Sequence, residues 1–239
     1  MTTDEAPAGD AAILDEQAAY YRARAGEYDE WWRRKGRYNR GPEATARWNA
    51  EVAQVEAALD RFGPAGSVLE LACGTGWWTE RLARRAARLT CVDASPEAIA
   101  VNGLRLAGAG LPAPRYVEAD LFSWEPDGAW DAVFFSFWLS HVPPGRFDAF
   151  WRTVAAALKP GGRAFFVDSL PEATSAARDH RMPGADGVQE RLLNDGRAFR
   201  VVKLFHEPRA LEERLRTLGW RAAVRRTPTY FLHGAASRA

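Results

Sequence analysis

The chain has 239 residues, 47% hydrophobic and 26% charged, with 32 basic and 31 acidic side chains and a formal net charge of +1. That suits one globular domain with a sizeable core, and the near-zero charge excludes a general pull on nucleic acid or membrane. The opening MTTDEAPAGDAA lacks the pattern of a signal peptide, no run reaches the ~18 apolar residues of a membrane span, and Cys73 and Cys91 read as reduced core thiols, so a cytoplasmic location is expected.

Residues 1–11 read as a disordered tail. From 12 to 34 a helical pattern carries Tyr20, Tyr21, Tyr28, Trp31 and Trp32, until Gly36, Gly41 and Pro42 break it. The stretch RRKGRYNR, residues 33–40, mixes cations with one tyrosine; a solvated helix end is expected there rather than a nucleic-acid contact. Trp48, Val52, Val55, Leu59 and Phe62 then recur at steps of three and four, the apolar stripe of a second helix. Residues 12–62 are therefore expected to form a helical N-terminal lid.

After Gly63-Pro64-Ala65-Gly66 the pattern changes. Strands are expected at 67–72, 89–93, 115–118, 130–137 and 162–168, with helices starting near 76, 95, 146 and 208. Such alternation predicts right-handed crossovers and a parallel sheet covered on both faces. The polar segment at about 170–200 reads as a cap inserted into a core spanning 63–239. Near the end, WRAAVRRTP and TYFLHGA read as an antiparallel edge hairpin.

The first strand runs into a glycine loop, LELACGTGWW. Gly74 and Gly76 permit a tight turn and close approach of backbone to ligand. The third glycine of a dinucleotide fingerprint is absent, since Thr79 stands there, and no lysine lies near the loop. The ligand should therefore carry no pyrophosphate. Asp93 ends the second strand 19 residues after Gly74, close to the ~20 expected for a carboxylate on ribose hydroxyls. Asp120 ends the third strand and is placed to accept from an adenine amino group. Either acid could instead cap a helix or turn. Glu70, inside the first strand, needs a partner such as a ligand ammonium.

The segments VLELACGTG, CVDASPEAIA, EADLFSW, WDAVFFSFWLSHV and LKPGGRAFFVDS resemble the successive motifs of class I S-adenosylmethionine-dependent methyltransferases, over about 67–170 plus the terminal hairpin. The resemblance implies a Rossmann-like α/β fold, a doubly wound, seven-stranded, mostly parallel sheet whose last strand is antiparallel. It implies S-adenosylmethionine as cofactor and S-adenosylhomocysteine as product. By position, Glu70, Ala72, Gly74 and Gly76 would line the methionyl side, Asp93 and Ala94 the ribose, and Asp120 and Leu121 the adenine. Ser136 and Phe137 would lie beside the sulfonium, and the N-terminal helices would close over it, making Tyr21 and Tyr28 candidate contacts. Trp78 is a further candidate, because aromatic faces attract a sulfonium.

His141, where the chain leaves the fourth strand, is the candidate general base. His206 is a weaker alternative, Asp168 a possible orienting acid, and Trp32 and Trp138 candidate walls of an acceptor pocket. No metal site is expected. The expected reaction is methyl transfer to a small, largely apolar or aromatic molecule, with oxygen favoured over nitrogen or carbon as acceptor. Two alternatives stay open: a cyclisation or rearrangement promoted by bound cofactor without methyl transfer, and methylation of RNA or protein.

Overall fold

Side-chain alternation along the central strands builds two cores at once. In the computed structural model, which describes residues 8–239, β4 spans Trp130–Ser136 and β5 spans Leu158–Ser169. Ala132, Phe134, Phe165 and Val167 point to one face, while Val133, Phe135, Ala164 and Phe166 point to the other, as the period of two requires. On the first face lie α2 (Asp29–Trp32), α3 (Pro42–Phe62) and α4 (Thr79–Ala83), with Trp32, Trp48, Leu59 and Leu82 buried. On the second face lie α6 (Phe147–Ala157) and α7 (Pro208–Thr217), with Phe150, Trp151, Val154 and Leu215 buried. A strand covered twice must be apolar nearly throughout, which is why β4 reads as it does.

The remaining strands are β1 (Ser67–Leu71), β2 (Arg88–Asp93), β3 (Arg115–Glu118), β6 (Val188–Leu192), β7 (Ala198–Val202), β8 (Trp220–Arg226) and β9 (Phe231–Arg238). Seven form one sheet in the order β3-β2-β1-β4-β5-β9-β8. Neighbours are parallel from β3 through β5, and β9 runs antiparallel to both β5 and β8. This is the doubly wound, seven-stranded sheet expected, with its last strand reversed. Strand order turns back between β1 and β4, so ligand space opens at the carboxyl ends of these strands. No described helix is long and apolar enough to cross a membrane.

The N-terminal region departs from the expected single helix over 12–34. The expected tail, residues 1–11, falls largely outside the described residues, and α1 is described as Ala8–Arg24. Turns at Ala25–Tyr28, containing Gly26, separate it from α2. The chain must turn there because its two parts have different partners. Tyr20 of α1 packs with Leu193 and Val201 of the 170–204 region, whereas Trp31 and Trp32 enter the aromatic core under α3. The 33–40 stretch is no solvated helix end either. Arg34 is buried and donates to the Ser175 carbonyl at 3.0 Å, Arg37 pairs with Asp179 at 2.9 Å, and Arg40 reaches the Ala176 carbonyl at 3.3 Å. These arginines clasp the inserted segment, in which β6 and β7 form a separate antiparallel hairpin. Glu51 of α3, buried within the apolar stripe, accepts from the backbone N–H groups of Thr229 and Tyr230 at 3.1 and 2.8 Å and so fixes the β8–β9 turn.

Candidate active site

Four parallel strands deliver their last residues to one edge of the sheet. Ala72 follows β1, Asp93 ends β2, Asp120 follows β3, and Ser136 and Phe137 close β4; all border a cavity of about 680 Å³. Asp93 accepts from the Gly74 N–H at 2.8 Å and from the Ser95 N–H at 2.9 Å, and burial raises its pKa above the ordinary carboxylate value. The N-cap of α5 (Pro96–Gly108) is Ser95, whose hydroxyl accepts from the Ala98 N–H at 3.0 Å. Asp93 is thus no helix cap, and it stands in the cavity wall with Ala94. Asp120, more exposed, accepts from the Phe122 N–H at 2.9 Å and borders the same cavity beside buried Leu121.

The glycine loop meets two different demands. Gly74 has φ +54° and nothing within 4 Å of where a Cβ would lie, so the backbone faces open space in the cavity. Gly76 has φ +88°, and a Cβ there would sit 2.6 Å from Asn102 Oδ1 of α5. Its role is packing, and it is not a cavity wall. Ala72 and Phe137 also take left-handed conformations, both with φ +52°. For non-glycine residues this costs about 1–2 kcal/mol each, and strain at two strand ends facing one cavity is a mark of a working site.

Several expected residues stand elsewhere. Glu70, 1% exposed, lies within the sheet with the Cys91 thiol 3.6 Å away and is not a cavity wall. Burial pushes its pKa up to about 8. Trp78 packs in the aromatic core, 5.8 Å from Trp32 and 5.7 Å from Phe134, and Trp32 stacks on Trp77 at 4.9 Å. Neither Trp32 nor Trp78 borders either of the spaces at this edge, because both turn into the aromatic core beneath α3. Trp138 does border the cavity, against Phe122. His206 points its Nε2 at the Leu139 carbonyl, 3.3 Å away, and its neighbour Phe205 takes the wall position instead. Asp168 is fully enclosed, accepting from the Ser140 N–H at 2.8 Å.

A second cavity of about 580 Å³ lies between α1, α2 and the inserted segment. Tyr21, Tyr28, Phe137 and His141 border both spaces, so the two chambers meet there. His141 is 3% exposed, with Nδ1 on the Val202 carbonyl and Nε2 2.7 Å from the Tyr21 hydroxyl. A carbonyl only accepts, so Nδ1 carries the proton and Nε2 accepts from the tyrosine. Burial, helped by Lys203 and Arg191, holds the imidazole pKa well below 6.5. Arg191 in turn donates to the Tyr21 hydroxyl at 3.3 Å. Arg24, Arg191 and Lys203 in this chamber are absent from the expected set. One signal could have exposed Lys203: it is one of three lysines in a chain with 29 arginines.

The N-terminal helices are tied across the first cavity. Asp29 of α2 accepts from the Thr75 hydroxyl at 2.8 Å and pairs with Arg105 of α5, which also donates to the Thr75 carbonyl at 2.8 Å. Arg22 of α1 donates to the Ala94 carbonyl at 3.1 Å.

Comparison with known proteins extends beyond the site. Residues 68–162 match a family model described as a methyltransferase domain. A ubiquinone biosynthesis O-methyltransferase from Xanthomonas axonopodis pv. citri is 35% identical over 169 residues, 70% of this chain and 67% of that protein. The solved DhpI-SAH complex is 38% identical with TM-score 0.74, covering 95% of this chain and 97% of DhpI. The DhpI-SAM-HEP complex, also 38% identical, gives TM-score 0.75 over 99% of this chain and 100% of the other.

Proposed function

The chain belongs to the class I S-adenosylmethionine-dependent methyltransferases, and we propose that it methylates an oxygen atom of a small molecule held in the second chamber. The observation that carries this reading is the shared wall: Tyr21, Tyr28, Phe137 and His141 stand between the space at the strand ends and the one under the inserted segment. Concave spaces walled by aromatic side chains with a few convergent polar groups suit small ligands. The relatives named as ubiquinone biosynthesis O-methyltransferases favour oxygen as the acceptor atom.

The residues present fit the cofactor. Asp93 offers carboxylate lone pairs at the ribose position, Asp120 and Leu121 flank the adenine position, and the open space beside Gly74 admits close approach of a ligand. Ala72, Ser136 and Phe137 border the reactive end, and the Phe137 ring is held there against Trp31 and Trp32 at 4.8 and 5.4 Å. Tyr28 and Tyr21 cover the site from above. When bound, the cofactor supplies a methyl group already activated on a sulfonium. What remains for the protein is to align the acceptor, exclude water and hold charge.

His141 acts in this reading by position. Its proton-accepting nitrogen is engaged by Tyr21, and its low pKa makes it a weak base. The neutral ring fixes the Tyr21 phenol, which then presents its oxygen at the junction. A small-molecule acceptor, a cytoplasmic location and the absence of a nucleic-acid partner all belong to the same reading. Transfer of a labelled methyl group from the cofactor into small molecules tests it; retention of the label on the cofactor would favour the non-methylating alternative.

A further inference from the structure

Three cations face the second chamber, and of these only Lys203 has an acid within ion-pair reach among the described residues. Arg24 is 5% exposed and forms no ion pair among the described residues. Its guanidinium lies 4.5 Å over the Tyr28 ring and within 6 Å of the Tyr20 and Tyr38 rings. One N–H goes to the Tyr38 hydroxyl at 3.0 Å, while Nε is buried with no partner at all. Arg191 donates only to neutral groups, the Tyr21 hydroxyl and the Gln189 amide oxygen. Lys203, also 5% exposed, rests on the Ser140 and Ser169 hydroxyls at 2.8 and 3.2 Å. The nearest acid, Asp168, is 3.6 Å from it and already accepts from the backbone N–H groups of Ser140 and Ser169.

The single carboxylate among the described chamber walls, Glu172, accepts from the Thr174 N–H and hydroxyl through Oε1 and pairs with none of the three cations. His141 and His180 are held neutral by burial and bring no negative charge. Arginines elsewhere in the same region are satisfied: Arg34 on the Ser175 and Thr174 carbonyls, Arg105 on Asp29. Burying cations without counter-charge is strongly unfavourable, and an incoming anion reverses that cost.

Resting on the methyl-transfer reading above, we propose that the acceptor is a small organic oxyanion, a carboxylate or phosphoryl group, held by Arg24, Arg191 and Lys203 and methylated on its own charged oxygen. Guanidinium forks bind both groups in the same bidentate way. In the step, an oxygen–methyl bond forms as the sulfur–methyl bond breaks, and the electron pair of the broken bond stays on sulfur. One negative charge on the acceptor and the positive charge on the sulfonium vanish together, and no proton moves. No general base is required in this step, because the nucleophile arrives deprotonated. The product carries one negative charge fewer, so the three cations hold it less well and release it.

The test is calorimetric titration of inorganic phosphate and of propionate into the full chain saturated with S-adenosylhomocysteine, with propionamide as the neutral control. At least one oxyanion should bind one to one at millimolar concentration, and propionamide should not. Binding of phosphate alone assigns a phosphoryl acceptor, and binding of propionate alone assigns a carboxylate. Arg24→Gln and Arg191→Gln should each weaken the anion at least tenfold while S-adenosylhomocysteine still binds as in the unaltered chain. Lys203→Gln replaces either variant that fails to fold. Absence of both oxyanions from the unaltered, cofactor-saturated chain would overturn the proposal, as would variants that bind them undiminished. Failure of S-adenosylhomocysteine itself to bind would overturn the methyl-transfer reading instead.

Discussion

Asp93 holds the glycine loop and the start of the α5 turn with two backbone bonds, and the same carboxylate borders the ligand space. Because Ser95 caps α5, Asp93→Ala should leave the helix in place. Hydrogen bonds to a charged group are worth ~1.5–3 kcal/mol each, so affinity for S-adenosylhomocysteine should fall at least about tenfold in calorimetry. Unchanged affinity in a folded variant would remove the ribose assignment. His141 makes a sharper prediction. A general base would contribute ~10²–10⁴-fold and give a rate limb near the imidazole pKa. The buried, Tyr21-bound ring should instead give a flat profile through pH 6.5, and His141→Asn should lose well under that range. A limb near ~6.5 that disappears in the variant would restore the base. Folding stability carries the matching sign. The folded pKa lies below the unfolded one, so the unfolded chain takes up the proton first as pH falls through ~6.5. The enzyme should therefore lose stability below that pH, and His141→Asn should flatten the loss in acid unfolding curves. Asp93 was legible in the sequence because its distance from Gly74 has a physical meaning. Arg24 and Arg191 were not, since one arginine among 29 carries no mark of its surroundings.

Strands and helices with a strong period were legible to within a few residues, as at β3, β4 and α3, because burial on one or two faces dictates their patterns. The β6–β7 hairpin was not. Its strands, VQERL and AFRVV, are short and half polar, since they cover a chamber and do not fill a core. The break after Arg24 was missed for a related reason: the tyrosines and tryptophans beyond it continue an aromatic series while changing partners. That break makes α1 and α2 a strap in two pieces, held over the glycine loop by Asp29, Thr75 and Arg105. A strap that opens for a ligand is cut more readily when the site is empty. Limited proteolysis should cut near Ala25–Tyr28 in the free protein, and S-adenosylhomocysteine should slow the cut. Asp29→Asn should speed cleavage of the free form and weaken the protection. Equal rates with and without ligand would make the strap ordinary packing. Removing residues 1–34 entirely would also remove Trp31 and Trp32 from the aromatic core, so the point substitution is the cleaner probe.

At the scale of the whole molecule, the order of strands places one chamber over the parallel edge, and the N-terminal helices with the inserted segment build the second above it. The sheet was legible from its alternation, and the glycine loop with Asp93 and Asp120 marked the ligand edge, while the cofactor and reaction class came from the family resemblance that these motifs carry. The second chamber was not, because Arg24 of α1 meets Glu172, Arg191 and Lys203 of the inserted region only on folding. Aromatic walls are present at Trp31, Phe137 and Phe205, as an aromatic acceptor would need, but the three cations add a demand for charge. The central claim is that methyl passes from one chamber to a small molecule in the other. Its most direct test is incubation of the enzyme with cofactor tritiated on the methyl group and a small-molecule extract of its source cells, followed by separation of the products. The account predicts label in a small compound, formed together with S-adenosylhomocysteine and abolished by Asp93→Ala. Label found only in protein or RNA, or kept on the cofactor while another compound is transformed, would contradict it.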